Sequence, residues 1–210
     1  MEVIEFRKIL TSDIYDDYYN DGFAWSRIYE YPLVISIIKK YYKEDYKIHN
    51  SSCGFAGCHV LFKEKLDELF KTVYHSDIIK SDLINTFVYD ITKTPKKEEI
   101  DRYDILLNVS TLEEVSFNHI DIFNNLFSQL KKGGIFIATY DLNKKVENKI
   151  ISFILNKAWS SKRRVLQLEK FEELFSKKIE VRGEPLNGMN SHIKNLKCKH
   201  LNCGVMVIKK

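Results

Sequence analysis

A chain of 210 residues with 44% hydrophobic content is long enough to bury one sizeable core, which excludes disorder and sets the expectation of a single domain over residues 1–210. Its 33 basic and 29 acidic residues nearly cancel to a net charge of +4, with lysines scattered among carboxylates, so the balance does not mark a nucleic-acid binder. Cys53, Cys58, Cys198 and Cys203 fit no small secreted disulfide framework, and no apolar run suits a signal peptide or a membrane span; the setting expected is reducing and cytoplasmic.

Residues 1–21 are rich in Asp and Tyr with few apolar repeats, and read as a partly ordered arm that joins a capping helix within residues 1–42. Phe23, Trp25, Tyr29 and Tyr31 then gather around Arg27, and Leu33, Val34, Ile37 and Ile38 continue at helical spacing. Either this is a helix covering the sheet with Trp25 and Tyr31 as core, or Trp25, Arg27 and Tyr31 sit over a ligand at the sheet edge.

Residues 46–50 read as a strand, followed by the small-residue turn Asn50-Ser51-Ser52-Cys53-Gly54-Phe55-Ala56-Gly57, which lets the backbone approach a ligand closely. The helix expected over residues 59–70 points its N-terminus into that turn. A short strand over residues 72–74 ends near Asp77, about 20 residues past the turn, where nucleotide-binding βαβ units place the partner of the ribose hydroxyls. The pattern G-x-G-x-x-G is not matched, because Ser52 stands where a glycine is expected and only Gly54 and Gly57 remain. That argues against a nicotinamide-dependent dehydrogenase.

A helix or turn over residues 78–84 leads to a third strand over residues 86–90, again ending in a carboxylate, Asp90. Residues 92–99 form a charged surface loop around Pro95. The unbroken apolar centre of residues 103–110 fits a parallel strand buried on both faces, with Asn108 and Ser110 at its end. A helical stripe over residues 120–130 closes with Lys131-Lys132-Gly133-Gly134 before a fifth strand over residues 135–140. Strands alternating with helices in this way call for a doubly wound α/β sheet, with Asn50, Asp77, Asp90, Asn108 and Asp141 collected beyond the carboxyl ends of its strands.

Helices are expected over residues 146–155 and 166–175, on either side of Lys162-Arg163-Arg164. Strands over residues 178–182 and 204–208 suggest an antiparallel hairpin at the sheet edge. Cys198, His200 and Cys203, with His192 nearby, lack a convincing fourth ligand at zinc-like spacing, so no metal is expected.

In this order the motifs resemble the class I S-adenosylmethionine-dependent methyltransferases over residues 47–210. The turn 50–55 resembles that family's first motif, an acid followed by alternating glycines, with Asn50 and Ser52 as departures. Asp77 is similar to its ribose-binding acid, Tyr89-Asp90-Ile91 to the segment that holds the adenine, and residues 108–115 to its fourth motif. The run 130–134 resembles its helix-to-strand signature. Trp25-Ser26-Arg27 with Glu30-Tyr31-Pro32 resembles the cap of methyltransferases from bacterial surface-glycan genes.

The resemblance implies a Rossmann-like methyltransferase fold: a mostly parallel, seven-stranded sheet with an antiparallel terminal strand. It implies S-adenosylmethionine as cofactor, held by Asn50, Ser52, Gly54, Phe55, Asp77, Asp90, Ile91, Asn108 and Val109. Methyl transfer to a hydroxyl needs a positioned acceptor and often a base. Glu113, Glu114 and Asp141 are available at the edge, with His59 and His119 less well placed; Glu113 and Asp141 are the candidates taken, and Glu114 stands where many members carry histidine. The acceptor expected is a small polar molecule, such as a sugar or glycan intermediate. A non-catalytic, methyltransferase-like scaffold subunit is the alternative that Asn50 and Ser52 favour.

Overall fold

A computed structural model of the chain describes residues 1–10, 12–20, 26–54, 57–83, 85–115, 118–142, 166–179 and 203–210. Its strands are β1 (Glu2–Lys8), β2 (Ile48–Ser51), β3 (Val73–Asp77), β4 (Thr86–Val88), β5 (Tyr103–Val109), β6 (Leu130–Asp141) and β7 (Cys203–Lys209). They form one sheet in the order β1-β7-β6-β5-β2-β3-β4. β2 is parallel to β3 and β5, β3 to β4, and β5 to β6, while β7 runs antiparallel to both β6 and β1. This is the expected doubly wound, mostly parallel sheet with a reversed last strand. Its order changes direction between β2 and β5, and a crevice at such a switch point is where doubly wound sheets bind ligands.

The helices are α1 (Arg27–Tyr41), α2 (Cys58–Leu69), α3 (His119–Ser128) and α4 (Leu168–Phe175). α1 and α2 share a core with Ile48, Ile105, Leu107, Ile137, Val205 and Val207. α3 and α4 pack with Leu106, Phe136, Met206 and Ile208, the alternate residues of the same strands. The central strands are thus covered on both faces, as their continuous apolar runs require.

α1 is apolar nearly all round, with Ile28, Tyr29, Tyr31, Leu33, Val34, Ile37 and Ile38 all buried. It contains Pro32, which has no N–H for the carbonyl of Ile28. That carbonyl accepts instead from the amide of Asp16 at 2.9 Å, which ties the N-terminal segment to the helix.

Three expectations change. Residues 2–8 are not an arm but the edge strand β1, which pairs with β7 through Val3↔Ile208 and Phe6↔Met206. β7 therefore has a neighbour on each side, β6 and β1, and the expected hairpin with residues 178–182 is not its pairing. Lys178 and Ile179 are not in a strand, and residues 180–182 lie outside the described residues, as do the helix expected over 146–155, the basic run 162–164, and His192, Cys198 and His200. Residues 131–134, expected to end α3, belong to β6, which begins at Leu130.

Gly204 stands opposite Tyr140 in the β6–β7 ladder, and a Cβ there would lie 2.6 Å from the Tyr140 ring, which is fully buried and cannot yield outward. Gly204→Ala is expected to destabilise the fold by about 1–3 kcal/mol, the usual cost of overpacking. Urea denaturation measures this, and an unchanged midpoint would contradict the packing described.

Candidate active site at the carboxyl edge of the sheet

The turn after β2 departs from ordinary backbone at Ser52 (φ 57°), Gly54 (φ 64°) and Gly57 (φ 55°), and the residue after β5, Ser110, does so as well (φ 42°). Left-handed backbone at a residue with a side chain costs on the order of 1 kcal/mol or more, and such strain collects at functional sites. Ser52 and Ser110 follow the two strands that flank the switch point. At Gly54 a Cβ would come within 2.9 Å of the His59 ring, so close approach as well as φ calls for glycine.

Asp77, at the end of β3, closes the turn from the other side. Its Oδ2 accepts from the Gly54 amide at 3.0 Å and its Oδ1 from the Ile79 amide at 3.2 Å, while the Cys53 amide donates to the Ser76 carbonyl at 2.9 Å. A carboxylate has about four lone-pair sites, so these bonds leave room for further donors. Asp90 lies just past Tyr89, whose amide donates to the Asp77 carbonyl at 2.9 Å. Asp90 Oδ1 accepts from the Thr92 hydroxyl at 2.7 Å and amide at 2.9 Å, which holds its carboxyl below the ordinary range.

The switch point itself is polar inside. The Ser51 hydroxyl donates to the Leu107 carbonyl at 2.8 Å and accepts from Asn108 Nδ2 at 3.0 Å. Asn108 Oδ1 is buried and has no partner among the described residues. Asn50 turns its amide toward His75, with Nδ2 3.2 Å from Nδ1. Ile91 and Val109 are buried on opposite faces of the sheet, Ile91 with α3 and Val109 with α1. Phe55 and Trp25 lie outside the described residues.

The first turn of α1 enters this edge with a charge pair. Glu30 is fully buried and ion-paired with Arg27, and its Oε1 accepts from the hydroxyls of Ser110 and Thr139, each at 2.5 Å. Burial pushes the Glu30 carboxyl up, but the Arg27 charge and the hydroxyl bonds outweigh it and hold the group below its ordinary value. Burial alone would make Arg27 less basic; Glu30 reverses this and keeps it charged. Tyr31 is buried, stacked on Phe62 at 4.0 Å, with its hydroxyl 2.5 Å from Nδ1 of His59, the ring that also faces Gly54.

Glu113 and Asp141 come together beside this pair. Glu113 Oε1 accepts from the Asp141 amide at 2.8 Å, and its Oε2 is buried with no partner among the described residues. Burial pushes the Glu113 carboxyl up to about 8; the amide bond opposes this, and the nearby charges of Asp141 and Glu30 add to it. Glu30, Thr139, Asp67 and His75 were not among the site residues read from the sequence. The signal for Glu30 was a lone carboxylate three residues after Arg27 in an apolar helix, which has to be paired wherever it is buried.

No family model matches the chain, and no curated protein matches it in sequence. Solved structures do. The chain is similar to the CurJ carbon methyltransferase (15% identity, TM-score 0.54), covering 88% of this chain but only 53% of that one. It is similar to the [4+2]-cyclase SpnF (14%, 0.54; 83% and 62% covered) and to a SAM-dependent methyltransferase from Archaeoglobus fulgidus (13%, 0.53; 86% and 94% covered). The Rossmann-like fold is shared with these structures.

The state of Glu113 makes stability pH-dependent. An unfolded glutamate is ionised above its ordinary value of 4.5, whereas the folded chain holds this proton to about 8. The folded state binds more protons in between, so the contribution of Glu113 is complete below that window and is lost as pH rises through it, by at most about 1.4 kcal/mol per pH unit. Glu113→Gln is expected to remove this slope, so the variant gains on the wild type from pH 5 to pH 8 in urea denaturation. A constant gap between the two would contradict the buried, protonated carboxyl.

Proposed function

We propose that this chain is an S-adenosylmethionine-dependent methyltransferase acting on a hydroxyl of a small polar acceptor, a sugar or sugar-linked intermediate, in the cytoplasm. The observation that carries the cofactor part is the closed turn at the switch point, with Gly54 at positive φ and its amide bound to the Asp77 carboxylate. Asp77 has acceptor capacity left for the ribose hydroxyls and Asp90 for the adenine amino group. Ser52 and Gly54 bring the backbone near the sulfonium end, and Asn108 adds an oxygen with no partner among the described residues. The cofactor supplies a methyl group on a sulfonium, open to in-line displacement.

The chain's own part is to orient the acceptor and take its proton. Glu113 is suited to the second task, because its buried carboxylate is more basic than an exposed one and Oε2 has no partner among the described residues. At pH 7 about a tenth of it is ionised, so proton acceptance grows toward pH 8. Arg27 is already matched by Glu30, so among the described residues it offers no unbalanced charge to an anionic acceptor, which favours a neutral polyol. Among the neighbours, CurJ is a carbon methyltransferase and SpnF a cyclase, so the hydroxyl rests on Glu113 and not on the fold.

Ser52 in a left-handed conformation, where a glycine would be unstrained, favours a second reading, a non-catalytic binding or scaffold subunit. Calorimetry with S-adenosylhomocysteine separates the two. Binding is expected, and Asp77→Ala should weaken it by at least about 1 kcal/mol, the scale of a hydrogen bond to a charged group. Unchanged affinity would remove Asp77 from the site, and no binding at millimolar ligand would favour the scaffold.

A further inference from the structure

Asn50 and His75 are register partners on β2 and β3, and the His75 side chain is fully buried. His75 Nε2 bonds Asp67 Oδ1 at 2.9 Å, and Asp67 Oδ2 accepts from Lys63 Nζ at 2.7 Å. Lys63 keeps Asp67 an acceptor, so the proton on Nε2 belongs to His75. Burial pushes the imidazole below its ordinary value, although Asp67 pulls the other way, so the ring is neutral and Nδ1 presents a lone pair. Among the described residues the group facing Nδ1 is the Asn50 amide, and only its NH2 can donate. The chain Lys63, Asp67, His75 therefore decides which end of the amide faces the ring: Nδ2 toward it, Oδ1 away.

We propose that Asp67 and His75 are positioning residues that fix Asn50 Oδ1 as a hydrogen-bond acceptor for a cationic ammonium group at the carboxyl end of β2. The amide then serves as a single carboxylate oxygen would. This rests on the adenosyl-cofactor reading, because the amino-acid end of that cofactor carries an ammonium. An amide free to turn would offer its NH2 to the same group and repel it. A carboxylate in this position has equivalent oxygens and needs no relay.

The test compares S-adenosylhomocysteine, which carries the ammonium, with 5′-methylthioadenosine, which lacks the whole amino-acid end. In calorimetry His75→Leu should weaken the first by about fivefold or more and leave the second within about twofold, as expected for one charged hydrogen bond. Asp67→Asn, which preserves shape, should act in the same direction and covers the case that His75→Leu does not fold. In an Asn50→Asp background His75→Leu should have no further effect on S-adenosylhomocysteine, a result that a merely structural histidine would not produce. Equal losses for both ligands, or a loss that persists beside Asp at position 50, would overturn the relay. A wild type that binds neither ligand would overturn the cofactor reading, and the relay's role with it.

Discussion

The carboxylate of Glu30 has been removed from water at the carboxyl edge of the sheet and is held there by Arg27, Ser110 and Thr139. These partners come from α1, from the residue after β5 and from β6, so one charge sets the height and rotation of α1 against the central strands. Removing one member of a buried pair costs about 3–5 kcal/mol because the other is left uncompensated. The first turn of α1 is therefore bound to the edge where Glu113 and Asp141 also lie. The same field bears on Glu113: Glu30 and Asp141 add to its burial in keeping its proton.

The edge divides into two regions with different physics. Around β2 and β3, strained backbone and short side chains bring N–H groups and the Asp77 carboxylate together, the requirement for holding a polar cofactor. Around β5 and β6, the buried carboxyl of Glu113 lies near the acidic groups of Glu30 and Asp141, the requirement for shifting a proton affinity toward neutrality. Asn108 stands between them, bonded to Ser51 on one side and with an oxygen that has no partner among the described residues. A cofactor across β2 and β3 with an acceptor over β5 and β6 would use both regions.

Much of this was legible in the residues. Buried parallel strands read as apolar runs, so β5 and the apolar part of β6 were found close to their limits, and strand ends rich in Asp, Asn and Ser marked the edge. β1 was not found because an edge strand with Glu2, Glu5, Arg7 and Lys8 buries little of itself and has no strong period. The start of β6 was misread because Lys131-Lys132-Gly133-Gly134 carries the local chemistry of a helix end, while the pairing of Tyr103 with Leu130 is a tertiary contact. At the carboxyl edge, the placement of Asp77 and Asp90 at or just past strand ends was legible from position alone. The pairings of Glu30 and His75 were not, since each depends on partners far away in sequence: Thr139 for Glu30, and for His75 a register that sets it beside Asn50.

The turn after β2 and the end of β5 are proposed to form one ligand site across the switch point. Hydrogen exchange with and without S-adenosylhomocysteine tests it most directly, because it reports on both backbone segments at once. Exchange is expected to slow at the amides of residues 52–54 and 108–111 on adding the ligand, with no change at the β1 edge. Bound ligand with unchanged exchange at both segments would contradict it.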